Sequence, residues 1–165
     1  MKIILRRLGL LLLAALIIIQ FFQTEKNNDT SAAAVANDIS KSYAVPAEVL
    51  KILHNSCYDC HSNNTDYPWY DNIQPVSWWL NHHISEGKRE LNFNEFSTYS
   101  ARRQYKKMEE LAEEVKEGKM PLPAYTSMHK EAVLTAEMKN LLLNWAQSVQ
   151  DTIKNRYPAD SLIKR

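Results

Sequence analysis

The stretch Cys57-Tyr58-Asp59-Cys60-His61 decides how this sequence is read, because it holds every cysteine of the 165-residue chain. Two thiols separated by two residues can be presented side by side by one turn of chain. A histidine directly after the second thiol then falls beneath whatever the thiols hold. Covalent attachment of a c-type haem has these requirements: two sulfurs for the two vinyl groups of one porphyrin edge, and an imidazole nitrogen for the iron. Three other chemistries use parts of the pattern. A thioredoxin-like dithiol needs a βαβ setting, and no period-2 alternation is visible around it. A zinc site on Cys57, Cys60 and His61 lacks a further ligand pair at finger or knuckle spacing. A Cys57–Cys60 disulfide would close a very short loop and stabilise little. One haem c per chain is therefore the expected cofactor, with Cys57 and Cys60 as covalent attachment points and His61 as an iron ligand.

Composition narrows the remaining classes. Lys and Arg total 20 and Asp and Glu total 19, a formal net charge of +1. Such a balance supplies no basic field for nucleic acid. The three glycines, Gly9, Gly87 and Gly118, are too far apart for a phosphate-cradling loop.

Upstream, Lys2, Arg6 and Arg7 precede an almost wholly apolar run, Leu8 to Phe22. This is the pattern of an export signal. The span Ile3 to Phe22 is about the 20 residues needed to cross a bilayer if Arg6 and Arg7 snorkel to the inner surface. No small residues follow it closely enough for ready cleavage, which favours an uncleaved single-pass anchor over a removed leader. The basic residues would stay in the cytoplasm, placing the rest of the chain in the periplasm of a bacterium, tethered to the inner membrane. Residues 24–44, rich in Asn, Asp, Ser, Thr and Ala, read as a flexible tether between a 1–23 membrane helix and a 45–150 domain.

Within 45–150 the apolar spacing is helical throughout, so the expected class is all-α. Val45, Val49, Leu50 and Leu53 predict a helix that starts near Pro46 and runs into Cys57. A second is expected over 75–86, stopped by Gly87, with Val76, Trp79, Leu80, His83 and Ile84 on one stripe. A third is expected over 100–117, stopped by Gly118. A last one starts at Thr135 as N-cap, with Met138, Leu141, Leu142, Trp145 and Val149 inward. The charged 151–165 tail is expected to fray.

Haem iron commonly takes a second axial ligand, and a Met/His pair raises its potential. Met120, in Gly118-Lys119-Met120-Pro121-Leu122-Pro123, lies off every helical stripe in a loop stiffened by two prolines. It is the expected sixth ligand. His83 is the alternative, or a hydrogen-bonding residue of the haem pocket. Met108 and Met138 sit on stripes and read as core. Trp69 and Trp79, within the dense group Tyr67, Trp69, Tyr70, Trp78 and Trp79, are expected to pack on the porphyrin. A backbone carbonyl in the loop shaped by Pro68 and Pro75 is expected to orient His61 through its other ring nitrogen.

Taken together, Cys57-Tyr58-Asp59-Cys60-His61-Ser62-Asn63, Tyr67-Pro68-Trp69-Tyr70, Pro75-Val76-Ser77-Trp78-Trp79-Leu80, His83-Ile84-Ser85-Glu86-Gly87, Leu91-Asn92-Phe93 and Met120-Pro121-Leu122 with Tyr125 and His129 resemble the small haem-binding domain of membrane-anchored proteins of Bacteroidetes-type bacteria. The N-terminal Gln20-Phe21-Phe22 with Glu25-Lys26-Asn27 also resembles that family's leader. The likeness extends to about residue 147. It implies a cytochrome c-like helical domain around one covalent haem. The expected role is a membrane-tethered electron carrier with His/Met-ligated iron, exchanging electrons with redox proteins at the membrane or in the periplasm. A haem-based gas or redox sensor with a labile or absent sixth ligand is the alternative. A peroxidase would need an open iron position with a distal acid–base group, so an enzyme is not expected.

Overall fold

The computed structural model describes residues 1–162, and the expectation for Ile163 to Arg165 lies outside them. Its elements are helices α1 (Lys2–Ile19), α2 (Ala47–Ser56), α3 (Tyr58–His61), α4 (Val76–Glu90), α5 (Ala101–Glu117), α6 (Pro123–Met128), α7 (Ala136–Arg156) and α8 (Ala159–Leu162), with short 3-10 turns between them. Among the described residues there is no β-strand, only one isolated antiparallel bridge between Asn28 and Asn64. The all-α expectation therefore holds.

The core forms where α5, α7 and α2 meet. Met108 and Val115 of α5 pack with Leu142, Trp145, Ala146, Val149 and Ile153 of α7, and with Val49, Ile52 and Leu53 of α2. Each such side chain contributes about 1.5–3 kcal/mol by leaving water. Helix ends follow their local chemistry. The Ser100 hydroxyl accepts from the Arg103 N–H and the Thr135 hydroxyl from the Met138 N–H, each satisfying an otherwise orphan donor. Gly118 ends α5 in the left-handed conformation, φ +73°, which a residue without a Cβ adopts freely.

Four expectations change. First, α1 ends at Ile19 instead of Phe22 and carries Lys2, Arg6 and Arg7. No helix of the described residues is long and apolar enough to cross a membrane. The uncharged part, Leu8 to Ile19, is only about 18 Å long at roughly 1.5 Å per residue, so the transmembrane helix expected over Ile3 to Phe22 is not found.

Second, residues 24–44 are not a loose tether but a strap laid over the domain. Asn27 donates through Nδ2 to the Ser62 carbonyl (3.0 Å), and its N–H donates to the Tyr67 hydroxyl (2.8 Å). Lys26 pairs with Asp71, which is fully buried. Further along, Ile39 and Tyr43 enter the core. The buried Asp38 accepts from Tyr58 Oη (3.1 Å) and Asn94 Nδ2 (2.8 Å). Polar composition misled here because these side chains are satisfied by the domain instead of by water.

Third, α4 runs through Gly87 to Glu90, so Gly87 does not stop it. Fourth, the expected frayed tail is helical to Arg156, held by the fully buried Ile153.

Candidate functional site

Helix α2 delivers the thiol pair. The Cys57 N–H still donates to the Leu53 carbonyl (2.9 Å), and the His61 N–H donates to the Cys57 carbonyl (3.0 Å). The two short helices thus meet at Cys57, and one turn carries Cys57, Cys60 and His61 together. Helix α4 lies directly behind this turn. A Cβ on Gly87 would stand 2.6 Å from the Cys60 carbonyl oxygen, so the close packing of α4 on the motif requires glycine there.

His61 Nδ1 lies 2.8 Å from the carbonyl oxygen of Leu91. A carbonyl only accepts, so Nδ1 carries the proton and Nε2 keeps its lone pair. Burial holds the imidazole below its ordinary pKa, partly opposed by that hydrogen bond. It is thus kept neutral, the form that ligates metal. The orienting carbonyl had been expected from the loop of Pro68 and Pro75. It comes instead from the residue that caps α4.

Cys57 and Cys60 are free thiols, half-buried in the cleft wall. Burial, reinforced by the neighbouring Cys60, pushes the Cys57 thiol up to about 12. Burial and the Asp59 carboxylate push Cys60 up to about 11. Both sulfurs therefore hold their protons at neutral pH.

Three adjoining cavities surround the motif. The first, about 170 Å³, is lined by Cys57, Cys60, His61, His83 and Met120, with Leu122 and Tyr125. A second, about 270 Å³, shares Cys60, His83 and Leu122 and adds Trp69, Val76, Trp79 and Met128. A third, about 480 Å³, shares Cys57, His61 and Met120 and adds Leu91, Phe93, Leu111 and Val115. The thiols, His61 and Met120, expected together from the sequence, thus face one space. His83 faces it too, edge-on to Trp79 with ring centroids 4.4 Å apart. Trp69 and Trp79 line only the second cavity and are 73% and 46% exposed, so they rim the cleft without forming its floor.

A haem suits these residues. Two protonated thiols, a neutral imidazole with its free nitrogen fixed by its partner, a thioether and apolar walls are the donors and surroundings that a covalently held porphyrin needs. Sequence reasoning missed three participants. The Leu91 carbonyl has no side-chain signature. Gly87 has the sequence signature of a helix end, although α4 runs through it. Asp59, an interior position of the motif, accepts from Tyr125 Oη at 2.6 Å, a pairing between residues 66 positions apart that no local pattern reveals. His129 pairs through Nε2 with the Tyr70 hydroxyl (2.8 Å).

A family model described as a haem-binding domain matches residues 14–148. No curated protein and no solved structure matches the chain.

Proposed function

Because the chain belongs to the haem-binding domain family, we propose that it holds one haem c through Cys57 and Cys60, with the iron between His61 and Met120, and serves as an electron carrier. The observation that carries this reading is the convergence of both thiols, His61 and Met120 on one apolar cavity. Bound there, the haem supplies a one-electron ferric–ferrous couple.

The chain's own residues do the rest. Cys57 and Cys60 would hold the porphyrin edge as thioethers, since addition of each S–H across one vinyl double bond would need neither oxidant nor reductant. His61 donates through Nε2 while Leu91 fixes its ring. Met120 would serve as a second iron ligand from the same cavity, which favours a carrier over an enzyme that must bind peroxide at an open iron. Leu122, Leu111 and Val115 give apolar wall beside Met120, which would favour the less charged ferrous centre. The second cavity, rimmed by Trp69 and Trp79, offers the exposed edge at which redox partner proteins would dock.

A place outside the cytoplasmic membrane is part of the same proposal. It is supported by the basic residues ahead of the apolar run Leu8 to Ile19, and by where such haems are attached in bacteria. Helix α1, apolar from Leu8 onward and largely exposed, is the segment that would contact lipid. Protease accessibility of the domain in intact spheroplasts tests this placement, and full protection would refute it.

The decisive experiment is a pyridine haemochrome spectrum of protein matured with a c-type attachment system. Haem should stay with the denatured polypeptide and be released from a Cys57→Ser/Cys60→Ser variant. Loss of all colour from the parent on denaturation would sink the reading. A sensor remains the second reading, favoured by His83, which faces the same cavity as Met120. Ready binding of carbon monoxide by the reduced parent protein would select it.

A further inference from the structure

Two chain segments face each other across the cleft. One is the motif, Cys57 to His61. The other begins at Gly118 and carries Met120. On its N-terminal side this second segment is tied to α5: the N–H groups of Lys119 and Met120 both donate to the Glu114 carbonyl (3.0 and 3.2 Å). On its C-terminal side it continues into α6, where Tyr125 reaches back across the cleft.

Tyr125 Oη donates to Asp59 Oδ2 at 2.6 Å. The other carboxylate oxygen, Oδ1, accepts from the Asp66 N–H at 3.1 Å, and the Asp59 carbonyl accepts from the Thr65 hydroxyl at 2.6 Å. Asp59 is thus held by Thr65 and Asp66 independently of Tyr125. The Tyr125 ring stacks on His129 with centroids 4.4 Å apart and planes inclined by 14°, and His129 is braced by Tyr70. Among the described residues, the Tyr125–Asp59 bond is the one hydrogen bond that joins the motif to the segment from Gly118 to His129.

We propose that Tyr125 is a positioning residue whose hydrogen bond to Asp59 latches the Met120 segment to the Cys57–His61 segment and so governs how readily the sixth iron position opens to a small neutral ligand. The proposal rests on the His61/Met120 reading above. With the latch closed, both ends of the Met120 segment are anchored, and the thioether has no slack to leave the cavity. With it open, α6 is held by the Tyr70–His129 bond and by packing, and Met120, whose N–H still bonds the Glu114 carbonyl, loses the anchor on its C-terminal side, so its side chain gains room to leave the cavity. A hydrogen bond to a carboxylate that loses its donor corresponds to roughly a ten- to hundredfold change in an equilibrium. The tyrosine ring also fills space between the first two cavities, so Tyr125→Phe removes the latch and keeps the packing.

The test measures carbon monoxide binding to the reduced holoprotein, together with the absorption band of thioether-ligated ferric iron. Tyr125→Phe should raise the carbon monoxide affinity about ten- to hundredfold and weaken that band. A Tyr125→Phe/Asp59→Ala double variant should add nothing further, as expected of two ends of one interaction. Amide exchange at Thr126 and His129 should quicken in Tyr125→Phe. Since that variant leaves the attachment motif intact, its comparison with the parent stands even where Asp59→Ala matures poorly. If Tyr125→Phe binds carbon monoxide like the parent while Met120→Ala binds it freely, the latch is wrong and the His/Met reading survives. If Met120→Ala also behaves like the parent, the ligand assignment itself falls and takes the latch with it.

Discussion

Gly87 and Cys60 approach so closely that a Cβ on the glycine would meet the Cys60 carbonyl oxygen at 2.6 Å and its carbonyl carbon at 3.2 Å. A glycine-to-alanine change inside a helix ordinarily stabilises it by roughly 1 kcal/mol. Here the obstacle is backbone, which no rotamer can relieve, and overpacking costs about 1–3 kcal/mol. Gly87→Ala should therefore lower stability, by up to about 2 kcal/mol, and shift Cys60 out of line with Cys57. Urea unfolding of the haem-free protein reads the first effect, and the yield of covalently attached haem reads the second. A stabilised variant with full haem yield would show that α3 yields freely to α4.

The strap over residues 24–44 makes a prediction opposite to that of a tether. The Asp71 carboxylate is fully buried and neither oxygen makes a hydrogen bond, so the Lys26 ammonium is its compensation. Removing one partner of a buried pair costs about 3–5 kcal/mol. Lys26→Met should cost about 3 kcal/mol at pH 7 by urea unfolding, and a Lys26→Met/Asp71→Asn double variant should recover much of it. Deleting residues 1–44 should prevent stable folding, because Asp38, Ile39 and Tyr43 leave with them. A deleted chain with an unchanged unfolding midpoint would restore the tether.

Alkaline pH should distinguish the haem-free from the haem-bearing chain. Cys57 and Cys60 have ordinary values of 9.0, raised in the folded state to about 12 and about 11. Above pH 9 the unfolded chain releases protons that the folded chain retains, so stability is complete below pH 9 and falls as pH rises beyond it. Thioether formation removes both titrating groups, and the holoprotein should lack this loss between pH 9 and 10. Above that window the buried Tyr58 and Tyr43 hydroxyls, also raised by burial, contribute their own decline. Unfolding free energies at pH 8, 9 and 10, with Cys57→Ser/Cys60→Ser as control, check the sign. The thiols of the haem-free protein should also alkylate more slowly at pH 8 than those of the unfolded chain, since only the thiolate reacts.

What the sequence disclosed follows physical range. The Cys57–His61 turn, the helical stripes of α5 and α7, the Thr135 cap and the Gly118 terminus are short-range patterns, and all were legible. The loop position of Met120 was legible too, since it lies off any stripe between a glycine and prolines. Contacts between distant segments were not. Polarity made residues 24–44 look solvated, although Asn27, Lys26 and Asp38 find their partners far along the chain. Gly87 carried the ordinary signature of a helix end, and only the crossing with α3 shows why it is glycine. The N-terminal run was apolar enough to suggest a membrane span, yet its helix is shortened by Phe21 and Phe22 falling outside it and broken in character by Arg6 and Arg7.

Orientation of His61 by the Leu91 carbonyl has an evolutionary side. The acceptor is main chain, so every amino acid at position 91 supplies the same oxygen. Drift in the local sequence can alter how well that residue packs without changing the hydrogen bond that orients the imidazole. The electronic character of the imidazole is then inherited from the end of a helix, not from a side chain. Were His61 to ligate iron as proposed, a designer wishing to retune that iron would have to move the terminus of α4, by lengthening or shortening it, because a point substitution at Leu91 keeps the acceptor oxygen.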